Sequence, residues 1–245
     1  MFSIETFLTA VAICVAVLIF TMGGFGGGSI FLAILILSGI PPSQAAIGSL
    51  LFNIFSTGTS STLWRIHLEK KFLLLLLGSV PLAFIGGITS FSISEYMLKL
   101  VMGLVIVISG LITLLSRKPL ADLEVNFLHI VLIGGFIGFL AGLTGIGGGV
   151  YLAPILLLGG ISEPKTTAAT TTLFIFSNSL SGLLARTPRL MSTLLENQIM
   201  IVLVPLVVSI SLIGGHIGSR KLSQESVRNI IGVILVSIGT VLIFY

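Results

Sequence analysis

Long apolar runs separated by short polar connectors set the pattern of this chain. Residues 4–22, 72–91 and 96–115 each predict a helix long enough to span a bilayer. Residues 30–40 form a shorter apolar piece that stops at Pro41 and Pro42. At 1.5 Å per residue it covers roughly half to two-thirds of a hydrocarbon core about 30 Å thick, so a tilted short helix or a half-helix is expected there. Residues 44–64 are different in kind, because hydroxyl residues and one amide interrupt the apolar run. Ser49, Asn53, Ser56 and Ser60 fall at i, i+4, i+7 and i+11 and therefore share one helical face. Such a stripe predicts either close helix packing or the lining of a polar cavity.

Between the first two apolar pieces lies Thr21 to Ser29, TMGGFGGGS, and a near copy, LTGIGGGVY, occupies Leu143 to Tyr151. Consecutive glycines weaken a helix interior by roughly 1 kcal/mol each relative to alanine, so both stretches predict helix breaks. With apolar sequence on both sides, the freed backbone groups must be buried in protein or face water inside the molecule. A substrate site built from Gly26, Gly27, Gly28, Ser29, Gly147, Gly148 and Gly149 is the central expectation. Ser49, Asn53 and Ser56 are expected to complete it from the first half.

The second half resembles the first. Pro42 matches Pro164, Ala45 and Ala46 match Ala168 and Ala169, and the polar helix recurs over residues 168–186 with Thr171, Thr172, Ser177, Asn178 and Ser181. Farther on, residues 94–110 align without gaps to residues 223–239. The pattern predicts an all-α polytopic membrane protein of two homologous repeats, inverted with respect to each other. It has 8–10 transmembrane segments, two of them short helices or half-helices behind the glycine breaks. The repeats are residues 1–118 and 127–245, joined by a polar connector at 119–126.

Basic residues bear on the orientation. If the short pieces cross the membrane, Arg65, Lys70, Lys71, Arg117, Lys118, Lys165, Arg220, Lys221 and Arg228 share one side, against Lys99, Arg186 and Arg189 on the other. If they are re-entrant, the division is more even and Lys165 is left near the membrane interior. The asymmetry of the first arrangement favours inverted repeats with both termini outside. The first span carries Glu5 where a signal peptide would carry a basic residue, so it is expected to be retained.

Composition agrees: 245 residues, 55% hydrophobic and 8% charged, with a mean hydropathy of +1.21, exceed what a soluble core could hide. The net charge of +4 is scattered through short loops and predicts no nucleic-acid partner. The single cysteine, Cys14, excludes an intramolecular disulfide. His67, His129 and His216 are too dispersed for a metal cluster, and no cofactor is expected. His216 is a candidate proton relay, with a structural role the stronger expectation. Arg65 and Arg186 both end polar helices, where they either snorkel to headgroups or steer anions toward the cavity mouth. Neither H-E-x-x-H, nor G-x-S-x-G, nor a pair of intramembrane carboxylates is present, so enzyme chemistry is not expected.

The doublet GGFGGGS with PPSQAAIGSLL, repeated as TGIGGGVYLAP with KTTAATTTLF, resembles the TauE/SafE family of membrane permeases. That resemblance implies a multi-pass transporter of the cytoplasmic membrane for sulfite, sulfonates or related small organic anions. The partners expected are a small anionic substrate, the lipid bilayer and, where transport is coupled, H+ or Na+; the oligomeric state is left open. Two other readings stand beside it, a channel-like anion pore and the membrane anchor of an enzyme complex.

Overall fold

The computed structural model describes residues 4–115, 126–220 and 224–244. All but Asn126 of the connector expected at 119–126 falls outside the described residues. The first half runs α1 (Ile4–Met22), α2 (Gly28–Leu37), α3 (Pro42–Trp64), α4 (Leu74–Thr89) and α5 (Glu95–Leu115). The second runs α6 (Phe127–Thr144), α7 (Gly149–Leu158), α8 (Pro164–Ala185), α9 (Thr187–Glu196), α10 (Ile199–Val202), α11 (Val204–Arg220) and α12 (Gln224–Phe244). Short 3-10 turns flank α4. Helices and turns account for the described chain, with no strand among the described residues. Five stretches, 70–92, 95–115, 127–144, 164–185 and 199–220, are long and apolar enough to cross a membrane.

Local sequence explains the boundaries. Pro42 and Pro164 stand at the first positions of α3 and α8, where a missing N–H leaves no acceptor unpaired. The α6 helix is capped by the Asn126 side chain, which accepts from the His129 N–H at 3.0 Å. Its C-terminus is closed by Gly145 in the left-handed conformation, φ 75°. Helices α2 and α7 have ten residues each, about 15 Å of rise, and are half-helices in length.

Helix α9 is a departure from the expected elements. Thr187 and Pro188 start a separate amphipathic turn whose Met191 and Leu195 are exposed while Thr193 is buried. Arg189 lies over the Phe91 ring, 4.6 Å from its centroid. At the other end of α9, Glu196 accepts from the Gln44 amide at 2.7 Å, and the Asn197 amide donates to Gln44 Oε1 at 2.9 Å. The helix is thereby tied to the start of α3.

The outer surface is apolar: Leu77, Leu132, Phe136 and Ile213 are all exposed. Hydroxyl and amide side chains are gathered inside instead, along α3 and α8. This inside-out distribution is what a lipid surround demands, since lipid offers hydrocarbon no penalty and polar groups no partner.

Packing is reciprocal between the halves. Helix α6 lies on α4 and α1 on α11, α8 lies on α4 and α3 on α11, and α7 contacts α5 as α2 contacts α12. At the centre, α3 crosses α8, and α5 packs along α12. Glycines set the closest approach. A Cβ at Gly142 would stand 1.9 Å from the Ala83 carbonyl oxygen, and one at Gly138 would stand 2.3 Å from that of Ser79. Gly134 repeats the contact on Leu75, so positions 134, 138 and 142 form a small-residue seam four residues apart.

Gly138→Leu is expected to destabilise the protein by about 3 kcal/mol, because backbone rather than a movable side chain blocks the new atoms. Thermal unfolding in detergent measures it; Leu132→Ala, on the exposed face, serves as the comparison and should change stability by less than about 1 kcal/mol.

Candidate substrate site at two glycine breaks

Both breaks use glycine where a side chain would be strained. Gly24, Gly26 and Gly27 have φ of 74°, 74° and 102°, and Gly145, Gly147 and Gly148 have 75°, 86° and 92°. Gly27 and Gly148 are the N-caps of α2 and α7. The breaks also contact the opposite half in matching fashion. A Cβ at Gly24 would stand 2.6 Å from Ala168 Cβ, and one at Gly145 would stand 2.5 Å from Ala46 Cβ.

The carbonyls freed by the breaks are taken up by the two polar helices. Ser49 donates to the Gly28 carbonyl at 2.7 Å and Ser56 to that of Gly26 at 3.1 Å, and the Thr172 hydroxyl lies between the Gly24 carbonyl at 3.1 Å and the Ala168 carbonyl of its own helix at 2.7 Å. The Asn53 amide donates to the Ile146 carbonyl at 3.0 Å, joining α3 to the second break. The polar stripe of α3 therefore faces the glycines, and Ser60, its last member, packs instead against Gly215 of α11.

Donors are less completely used. The leading N–H groups of α2 and α7 have no intrahelical acceptor, although in α7 Tyr151 already donates to the Gly148 carbonyl at 3.2 Å. Asn178, 0% exposed, has no hydrogen-bond partner for either end of its amide. The hydroxyls of Ser29 and Ser179 and the Asn53 Oδ1 are likewise buried without partners. Unpartnered buried polar atoms are costly, about 1–3 kcal/mol each, and those of Ser29, Asn53 and Ser179 lie at the breaks, while Trp64, Ser79 and Thr170 carry others elsewhere. A Cβ on Gly147 would meet Asn53 Nδ2 at 2.7 Å and Ser179 Oγ at 2.8 Å, so these two side chains converge on one glycine.

Several expected residues sit elsewhere. Thr171 turns its hydroxyl back to the Thr167 carbonyl of its own helix. Ser177 is half-buried, and the α8 hydroxyl that reaches the break is Ser179, two positions on. His216 lies on the exposed face of α11. His67 is half-buried beside Trp64, with ring centroids 6.2 Å apart. Arg65 is exposed, as a residue beyond the end of a span should be. Arg186 departs from the headgroup expectation: it is buried and donates to the carbonyls of Gly182, Gly142 and Leu143. The α6 carbonyls that Gly145 leaves unpaired draw it inward.

Thr57, Ile175 and Ser179 were missed. The contacts align Ala46 with Ala168, one residue off the register in which Ala45 and Ala46 face Ala168 and Ala169. In the contact register Asn53 corresponds to Ile175, Ser56 to Asn178, Thr57 to Ser179 and Trp64 to Arg186. Both Thr57 and Ile175 lie against Gly26, which supports that register. The signal was present in sequence, since Pro42 and Pro164 are spaced by the same interval as Ala46 and Ala168.

Apolar groups close the site at each end. Ile47, Leu50 and Leu183 form one buried cluster where α3 begins and α8 ends, with Leu190 of α9 packed on it. Trp64, Ala168 and Ala169 form another where α3 ends and α8 begins.

A lipid-facing exterior, half-helices meeting at glycine breaks and an enclosed polar centre define a multi-pass membrane transporter. Residues 8–242 match the sulfite exporter TauE/SafE family, and the chain belongs to that family. It is similar to the probable membrane transporter protein y4hK of Sinorhizobium fredii, at 31% identity over 96% of this chain and 97% of the relative. It is also similar to the probable membrane transporter protein YunE of Bacillus subtilis, at 26% identity over 90% of this chain and 91% of the relative. No solved structure matches the chain.

Gly147→Ala and Gly39→Ala separate crowding from backbone strain. Both positions have positive φ, but nothing lies within 4 Å of a Cβ at Gly39. Gly39→Ala is expected to lower stability by about 1 kcal/mol and Gly147→Ala by about 2–4 kcal/mol, read from thermal melts.

Proposed function

We propose that this protein is a secondary carrier of a small anion in the inner membrane, with sulfite, a sulfonate or a related organic anion as substrate. The anion sits between the glycine breaks and the two polar helices. The observation that carries this reading is the pair of buried, unpartnered hydroxyls at the breaks, Ser29 in the first turn of α2 and Ser179 against Gly147, with the unpartnered Asn178 amide next to Ser179 in sequence.

The chemistry follows from charge and solvation. First-turn N–H groups of α2 and α7 point positive dipole ends toward the breaks, and glycine lets a ligand approach the backbone closely. Such donors replace part of an oxyanion's hydration shell without a fixed cation beside it. Release is then easier than from a lysine or arginine pair. Asn53, already held by the Ile146 carbonyl, presents Oδ1 to a water or to a protonated ligand oxygen. Asn53 and Asn178 are not structural equivalents, because Ile175 takes the place of the former in α8. Recognition is accordingly one-sided, polar toward Asn53 and Ser179 and apolar toward Ile175.

The clusters at both ends favour a carrier over an open pore, since the centre is closed on both sides. Reciprocal packing of the halves supports inverted repeats that rock against each other to expose the centre alternately. In proteoliposomes, unlabelled substrate on the far side should then accelerate exit of labelled substrate; equal rates with and without it would point to a pore.

Binding of sulfite, sulfate, thiosulfate, sulfoacetate, taurine and acetate to the purified protein tests the site. A sulfur oxyanion or sulfonate should bind selectively, and Asn53→Ala and Ser179→Ala should each weaken it roughly 10- to 100-fold, the worth of a hydrogen bond to a charged group. Binding that survives both substitutions and Gly27→Val places the anion elsewhere.

A further inference from the structure

Arg186 is a cation, 1% exposed, without an acid beside it. Among the described residues the recorded ion pair is Lys71 with Glu69, both in a surface turn. The guanidinium donates to the carbonyls of Gly142 at 2.7 Å, Gly182 at 3.0 Å and Leu143 at 3.2 Å. Those carbonyls orient and partly offset the charge, but they are dipoles and leave its net value unchanged. In surroundings of low dielectric that charge is felt over several ångströms farther than at a wet surface.

Its position on α8 gives the charge a direction. Ser179, Gly182 and Arg186 fall at i, i+3 and i+7, one face of the helix. Ser179 is the end of that row facing Gly147. Gly182 has no side chain, and a Cβ placed there would stand 3.6 Å from Arg186 Nη1 and 3.4 Å from Leu50 Cδ1. Leu50 belongs to the cluster with Ile47 and Leu183. From the glycine site toward the start of α3, the order is thus Ser179, the Leu50 barrier over Gly182, and the guanidinium. At the opposite end of the α3 and α8 crossing, the residue corresponding to Arg186 is the neutral Trp64, buried with its Nε1 unpartnered.

We infer that Arg186 is the charge-selecting residue of the route by which an anion passes between the glycine site and the side of the membrane where α3 begins, with Leu50 as the barrier that parts. The inference rests on the reading of the glycine site as an anion site. It makes the two routes unequal: an anion meets a guanidinium on one side and an indole on the other. Arg186 also holds the end of α6, so loss of transport on substitution would not by itself distinguish selection from scaffolding.

Thiol labelling makes that distinction. Cys14 is the single cysteine, so Cys14→Ala with Leu50→Cys leaves one thiol at the barrier. In proteoliposomes the thiol is reacted with the anionic sulfonatoethyl and the cationic trimethylammonioethyl methanethiosulfonates. The anionic reagent should react at least about tenfold faster. Arg186→Gln should lower that ratio about tenfold or more, as expected for unit charges roughly 10 Å apart at an effective dielectric near 20, and Arg186→Lys should keep it within about threefold. Equal rates for the two reagents with Arg186 in place overturn the inference, even if Arg186→Gln does not fold. So does failure of both reagents to reach Leu50→Cys. Sulfoacetate should slow the labelling; if the charge ratio holds but protection is absent, charge selection stands and the anion-site reading falls.

Discussion

A helix broken inside hydrocarbon leaves N–H and carbonyl groups that no water can reach, and the arrangement of this protein follows from that constraint. The carbonyls of Gly24, Gly26, Gly28 and Ile146 are met by Thr172, Ser56, Ser49 and Asn53, so α3 and α8 must lie beside both breaks. Two of these four bonds, from Thr172 and Asn53, cross from one half to the other. The halves are therefore joined at the backbone of the very segments that interrupt the helices. The backbone carbonyls at the breaks are met more fully than the side chains of Ser29, Asn178 and Ser179, which have no partner.

Close approach makes this possible. Glycines at 134, 138 and 142 let α6 settle on the backbone of α4, and Gly214 and Gly218 do the same for α11 on α1. Without a hydrophobic driving force between helices in lipid, such contacts supply the cohesion through dispersion and shape. The α3 and α8 crossing between these pairs holds the buried hydroxyls and amides.

Positions that correspond in the packing of the two halves carry different side chains at the centre. Asn53 faces Ile175 across the correspondence, Ser56 faces Asn178, and Trp64 faces Arg186. Framework contacts are kept, as in Gly24 on Ala168 and Gly145 on Ala46. A symmetric scaffold thus encloses an asymmetric centre, with a polar wall on one side and a cation beyond one of its two apolar closures.

The sequence alone determined the class and the elements. Apolar runs of span length, half-length pieces behind GGG and prolines at the starts of α3 and α8 are local features, and local features fix where helices begin and stop. It also placed Ser49, Asn53 and Ser56 on the face that meets the glycines, because a helical period is a property of one element. Tertiary structure decided what depends on two elements at once. Ser179 rather than Ser177 reaches the break, since the register of α8 against Gly147 is set by Gly24 settling on Ala168. Thr171 bonds within its own helix, to the Thr167 carbonyl, whereas the Thr172 hydroxyl one position on also reaches the Gly24 carbonyl. Arg186 turned inward because α6 ends beside it with unpaired carbonyls, a neighbour more than forty residues away that no reading of the residues around Arg186 could supply.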